Sequence, residues 1–477
     1  MRDDELRTRL SRVASRRSVL RGVGAASLAT AAYPLSRAAA RAGAVTFVQT
    51  PPTVNISGTS LSILQWQHFV PRFDEWLEPF AMEWGKTNGV DVKLDRVNTA
   101  EVPPGIAAEV GAGQGHDIVE HITSLPQYEK AMLDLTDLVA EATKRHGPQL
   151  DMAKRNSFNP TTNVYYGYCH GYAPDPGNYR KSLWEKVDLP DGPASFDDLL
   201  AGGSRIKSEQ GIQLGVGMSN EIDSKMAAQA MIWAFGGSIQ DEHENVTINS
   251  PETVAAVEYM AKLFAGAMTP EVFGWNAASN NQLMVAGQAS YILNSISAYR
   301  TALKQLPDVA KDIYFTPPLA GPGGADRALA HGHAVFISMI PKYSKNQDTA
   351  KEFLLHLTAN YAEAAKQSEY YNFPAFSGVV PDLTKEGGPL DNDPYGSDPA
   401  NKLAILKTAE KWTRNLGWPG PANAAIGEIF SLPTIPNMMA KAARKETSAQ
   451  QAVAEAETEI NQIFDKWRGE GLVGPGK

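Results

Sequence analysis

The 477-residue chain is 43% hydrophobic and 20% charged, with a formal charge of -9. That length asks for more than one core, and the balance, without long polar tracts, is that of a folded globular protein rather than a fibre or a disordered chain. Its acidity argues against nucleic acid or an anionic membrane surface as a partner, since both repel it.

Residues 1–42 stand apart, with nine Arg against three acidic residues, a surplus of six that leaves the remainder at -15. Ser15-Arg16-Arg17-Ser18-Val19-Leu20-Arg21 resembles the twin-arginine export motif. The weakly apolar stretch Gly22 to Leu35 that follows is about half the length a membrane-spanning helix needs. Ala38-Ala39-Ala40 or Ala40-Arg41-Ala42 then suits a signal peptidase. Gly22 and Gly24 weaken the rival reading, an amphipathic surface helix. Residues 1–42 are therefore expected to direct export to the periplasm by the twin-arginine route and to be removed. No Cys lies near them to take a lipid anchor, and no later segment is apolar for the roughly 18 residues a span requires.

Beyond a Pro/Thr/Ser/Gly stretch from Thr50 to Ser60, Leu61 to Trp66 reads as a buried strand. Phe73, Trp76, Leu77, Phe80 and Trp84 fall at helical spacing. Val90 to Val97 alternates as a second strand, and a short helix over Ile106 to Val110 runs into the turn Gly111 to Gly115. Asp117 to Ile122 is a third strand. This alternation predicts a parallel sheet with crossover helices, the α/β class. Ser250 caps a helix opened by Pro251, with Val254, Val257, Ala261 and Phe264 on one face. Ala350, Phe353, Leu354 and Leu357 mark a later helix. Ser448 and Gln451 form a capping box for the last, with Val453, Ile460, Ile463, Phe464 and Trp467 inward.

The chain lacks the sequence marks of catalysis: no G-x-S-x-G elbow, no H-E-x-x-H and no P-loop lysine motif. Gly111 to Gly115 precedes a strand, whereas a dinucleotide loop leads into a helix. Cys169, the single cysteine, has no disulfide partner in the chain and is read as a small buried residue. His331-Gly332-His333 lacks a nearby third ligand, so no metal and no cofactor is expected. Tyr370-Tyr371 is similar to the paired phenolates of ferric-ion binders, with packing or ligand stacking as the alternative.

Four segments carry a resemblance. Tyr179-Arg180-Lys181-Ser182-Leu183-Trp184-Glu185-Lys186-Val187 resembles the family segment after the first crossover, although Arg180 stands where relatives have Asn or Asp. Pro193 to Leu199 resembles Pro-x-Thr-Trp-Asp-Glu-Leu, with Ser195 as a helix cap. Gly287 to Asn294 resembles the Gly-x-Ala-Ala-Met run that ends in the binding cleft. Ile340 to Asn346, continuing to Phe353-Leu354, resembles Ile-Pro-Lys-x-Ser-Lys-Asn before a helix. Together they resemble the extracellular solute-binding proteins of family 1, the group that includes maltose-binding proteins. The resemblance implies a two-lobed periplasmic binding protein fold (type II-like), with discontinuous lobes joined by hinge crossovers. By that analogy the lobes are 45–171 plus 330–380 and 172–329 plus 381–477.

Sugars present apolar faces and polar rims, so a site for them pairs aromatics with planar hydrogen-bonding groups, placed beyond strand ends. Trp66, Gln67 and His68 follow the first strand, and His121 and Thr123 end the third. Tyr172 and Asp175 lie at the first crossover. Trp233, Trp275 and Asn276 fall in or near loops, and Asn294 ends a strand. His331 and His333 mark the return, and Tyr371 and Asn372 the last crossing. Each has a competing reading as core, most evenly balanced for Trp233 beside Met231, Ile232 and Phe235. The function implied is that of a monomeric periplasmic component of an ABC importer. It binds a sugar or sugar-like solute between the lobes and delivers it to membrane permease subunits, without catalysis. The alternatives are a polyamine or ferric-ion binder and a secreted carbohydrate-active hydrolase or lyase.

Overall fold

The computed structural model describes residues 47–324, 328–331 and 335–476, the side chains of 330 and 331 excepted. Residues 1–42, expected to direct export, and His333 lie outside these residues. The first strands and helices alternate: β1 (Ser60–Trp66), α1 (Pro71–Asn88), β2 (Asp91–Val97), α2 (Val102–Ala112) and β3 (Ile118–His121). Further along come β4 (Tyr168–Tyr172), β5 (Gly177–Arg180), α3 (Phe196–Gln210), α4 (Ile222–Phe235) and α5 (Pro251–Ala267). They are followed by β6 (Tyr291–Leu293), β7 (Ile313–Thr316), β8 (Val335–Met339), α6 (Gln347–Ala359) and β9 (Phe373–Pro374). Three helices close the chain, α7 (Ala424–Ser431), α8 (Thr434–Ala443) and α9 (Ala449–Gly469).

The fold is α/β and two-lobed. Its larger sheet has the order β9-β4-β8-β3-β1-β2, and a separate sheet has the order β6-β5-β7. β1 pairs in parallel with β2 and β3, as the alternation of strand and helix predicts. β8 is antiparallel to β3 and β4, and β9 to β4, so the sheet is mixed. Strand direction decides where the site can form. The carboxyl ends of β1, β3 and β4 and the start of β8 lie along one edge, because His121 pairs with Ile337 and Tyr172 with Val335.

The chain leaves this sheet after β4 and enters the second sheet at β5, four buried residues later, through Ala173-Pro174-Asp175-Pro176. A second core surrounds β5 with α3, α4 and α5 and takes in the closing helices, down to Phe464 and Val473. Arg300 ties distant segments together. Fully buried, it donates to both Asp393 carboxylate oxygens at 2.6 and 3.0 Å and to the Glu369 carbonyl at 2.7 and 3.0 Å.

Local chemistry explains most element ends. Ser195 accepts from the Asp198 amide at 3.1 Å, and Asp198 answers onto the Ser195 amide at 3.0 Å, a complete capping box. Three expectations are corrected. α2 starts at Val102, four residues before Ile106, because Pro103 and Pro104 are tolerated in a first turn, and it ends on left-handed Gly113. The inner face of α5 is rotated: Thr253, Ala256, Tyr259, Met260 and Leu263 are buried with Val257, while Val254, Ala261 and Phe264 are half-covered. Helices α3, α4, α8 and α9 all pack on α5, so more than one stripe is enclosed. At α9 only half a capping box forms, since Ser448 accepts from the Gln451 amide but the Gln451 side chain reaches Glu455 at 3.1 Å.

Candidate functional site

A cleft of about 660 Å³ opens where the edge of the larger sheet faces the start of α4. One wall is Phe69 after β1, Asn98, Thr99 and Ala100 after β2, and His121 at the end of β3 with Thr123 and Leu125 beyond it. The opposite wall is Asn220, Glu221, Ile222 and Lys225 at α4 with Trp275, Asn276 and Gln282, and α7 adds Phe430 and Ser431. The volume falls in the roughly 300–1,000 Å³ range of small-molecule sites.

His121 is fixed by its neighbours. Its Nδ1 accepts from the Thr123 amide at 3.3 Å, so Nε2 carries the proton and donates to the Thr99 carbonyl at 3.2 Å. Burial pushes its pKa down to about 4, which leaves a neutral ring at the cleft. Across from it, Glu221 caps α4. Its carboxylate accepts from the Asp223 amide at 2.8 Å, the Ser224 amide at 2.5 Å and the Ser224 hydroxyl. Burial, with the Asp223 charge adding to it, raises the Glu221 carboxyl to about 7. Burial likewise lowers Lys225 to about 8, and its ammonium lies 5.4 Å from the Phe430 ring centre. Trp275 is half-buried against the second core and keeps ring surface on the cleft. Asn276 is exposed, and its Oδ1 accepts from the Ala278 amide at 2.9 Å.

Of the residues singled out from sequence, the structure brings His121, Thr123, Trp275 and Asn276 together on the cleft. Trp66 is placed elsewhere. It is 1% exposed, stacks on Phe336 at 6.0 Å, touches His68 at 4.9 Å, and its indole N–H has no acceptor among the described residues. The chain turns back over it through Phe69 and β8 flanks it, so a strand-end residue becomes core. His68, Tyr371 and Asn372 join it in one buried cluster: the Val70 amide donates to His68 Nδ1 at 2.9 Å, and His68 Nε2 donates to Asn372 Oδ1 at 2.9 Å. Gln67 points outward and is exposed.

Tyr172 lines a different cavity of about 350 Å³ with Arg155, Arg414 and Trp418. Trp233 packs edge-on against Trp418 at 5.8 Å and is core. Asp175 is buried in the crossover, and Asn294 is buried against Asn280 and Asn281. His331 belongs to a two-residue strand beside Thr413 and Arg414. Cys169 is buried, and burial pushes its thiol up to about 12.

Sequence reasoning missed Asn98, Thr99, Glu221, Lys225 and Phe430. The first two follow the carboxyl end of β2 and satisfy the same strand-end rule that selected His121. Phe430 carries no such mark, since it is one apolar residue of an apolar helix.

Residues 70–364 match the family described as bacterial extracellular solute-binding protein. A binding protein of Brucella abortus is 23% identical over 224 residues, 43% of this chain and 53% of that one. A protein of Deinococcus radiodurans named for binding to an ABC transporter is 24% identical over 187 residues, 38% of this chain and 44% of its own. The chain thus spans about half the length of these curated relatives. Solved structures extend the likeness in fold. An oligosaccharide periplasmic-binding protein from Synechococcus superposes with a TM-score of 0.71 at 20% identity, covering 85% of this chain and 100% of that one. A maltose-bound T. maritima protein gives 0.69 at 18% identity, with the same 85% and 100% coverage. An ABC transporter solute-binding protein of Agrobacterium radiobacter in complex with ribitol gives 0.68 at 18%, covering 87% and 100%. With more than half of its length matched by the family and the two-lobed fold in common, the chain belongs to the bacterial extracellular solute-binding proteins.

Proposed function

We propose that this protein is the periplasmic binding component of an ABC importer, taking a sugar, sugar derivative or polyol into the cleft and passing it to membrane permease subunits. The lobes divide as 45–171 plus 330–380 and 172–329 plus 381–477, and a ligand touching both walls favours their closure by its differential affinity. The protein reaches its compartment by twin-arginine export of residues 1–42, carries no lipid anchor, works as a monomer and does not transform its ligand.

The observation that carries this reading is the make-up of the cleft wall. Half-buried Trp275 and Phe69 stand among Asn98, Thr99, Asn220, Asn276, Gln282 and Ser431, with a single carboxylate and a single ammonium among the described residues. Aromatic faces with amide and hydroxyl groups suit a hydroxyl-rich ligand. A polyamine site needs several carboxylates, and Glu221 already caps a helix. A ferric site of paired phenolates is disfavoured because Tyr371 packs on His68 while Tyr370 packs on Tyr395, and burial drives the Tyr371 hydroxyl far from ionisation. Neighbours of the same fold have been solved with maltose, tagatose, laminaribiose and ribitol.

A thermal-shift screen of the purified protein against sugars, polyols, spermidine and ferric citrate tests the proposal. Ligand at about 100 times its Kd stabilises by about 2.7 kcal/mol, so a sugar or polyol should raise Tm clearly and be recovered unchanged. Stabilisation by spermidine or iron alone, or consumption of the stabilising compound, would overturn it.

A further inference from the structure

Lys225 lies in the first turn of α4 and is 7% exposed, yet its ammonium bonds no oxygen among the described residues. Its near neighbour is the Phe430 ring, 5.4 Å from Nζ, which attracts the cation but cannot accept its three hydrogen bonds. Of the carboxylates close to it in sequence, Glu221 acts on it through space, but the hydrogen bonds of both Glu221 and Asp223 go to other partners. Glu221 is engaged by the Asp223 and Ser224 amides, and Asp223 Oδ2 accepts from Asn280 Nδ2 at 2.9 Å. Across the cleft, His121 is a neutral ring bound to Thr99 and Thr123. A largely buried cation without a bonded oxygen is costly, and the exposure this one keeps opens on the cleft.

We propose that Lys225 is a specificity-determining residue, and that the solute is a sugar or polyol carrying one oxyanion, a carboxylate or a phosphate, which it binds. The inference rests on the solute-binding reading above and narrows it. A neutral hydroxyl could accept one bond from Lys225, but an oxyanion also brings a full opposite charge that can bond the ammonium directly, which the helix-capping Glu221 carboxylate does not do. The positive end of α4 adds to the same field. Burial raises the Glu221 carboxyl and lowers the Lys225 ammonium, so desolvation weakens both charges at the cleft. A bound oxyanion stabilises the ammonium and raises its pKa, so binding takes up protons and weakens as pH rises through about 8.

The test is calorimetric titration of the purified protein with glucose, ribitol, gluconate, glucuronate and glucose 6-phosphate, on the native chain, Lys225→Met and Lys225→Arg. The acids are expected to bind at least tenfold more tightly than glucose, with proton uptake near pH 8. Preference for gluconate and glucuronate or for glucose 6-phosphate then distinguishes carboxylate from phosphate. Lys225→Met, whose flexible side chain can still pack on Phe430, should erase the preference without lowering the melting temperature in the absence of ligand, and Lys225→Arg should keep part of the preference. If a neutral sugar binds as tightly as the acids and Lys225→Met alters neither, the inference falls while the sugar-binding reading stands. If none of these compounds binds, both fall.

Discussion

Two groups of residues at the same edge of the larger sheet have opposite fates. His121 and Thr123, at and just beyond the end of β3, face the cleft, whereas Trp66 and His68, at and just beyond the end of β1, are enclosed with Phe336, Tyr371 and Asn372. Both sets are aromatic and polar residues beyond a strand's carboxyl end, and both contain a histidine held near pKa 4 by burial. What separates them is what comes next in space. β1 borders β3 and then β8 brings in Phe336, while the chain after His68 curls through Val70 into α1 and seals the cluster. A strand end offers a position, and its neighbours decide whether solvent or packing fills it.

Substitution of Trp66 breaks the comparison most sharply. Trp66→Ala should cost about 3–5 kcal/mol in unfolding free energy by urea titration, the range for a fully buried aromatic. A ligand-stacking Trp66 would instead lose binding and leave the fold intact, and that result would move it from the core to the site. Trp275→Ala should do the reverse. Loss of a half-buried aromatic platform should weaken the best-binding sugar by about 2 kcal/mol, roughly thirtyfold, with a small change in Tm. Unchanged affinity would remove Trp275 from the site.

The smallest effect is in pH dependence. His68, His121 and His356 are each lowered from 6.5 to about 4, with burial as the largest cause. A base depressed in the folded state is protonated first in the unfolded chain, so stability falls as pH drops from about 6.5 toward 4. His68→Asn should make that fall shallower when urea midpoints are compared at pH 7 and pH 5. An identical slope would place the His68 ring in contact with water.

Much of the architecture was legible because it rests on local chemistry. The parallel β1, β2 and β3, the caps at Ser195 and Ser250, and the faces of α6 and α9 follow from periodicity and from residues that satisfy helix ends. The four family-like segments pointed to the fold because they recur in order along the chain. The site was legible only in part. His121, Thr123, Trp275 and Asn276 were selected with Trp66, Trp233 and Asn294, and nothing in the sequence divided exposed from enclosed members.

By itself, then, the sequence determined the α/β class, the alternating elements and the residue types from which a binding site could be built, all properties carried by spacing over a few turns or strands. The tertiary structure alone decided which of those residues face the cleft. It placed Phe430 of α7 against Lys225 of α4, far apart in the chain. It buried Trp66 under β8, more than 250 residues downstream in sequence. Burial is a sum over neighbours contributed by distant segments, and no local pattern encodes that sum.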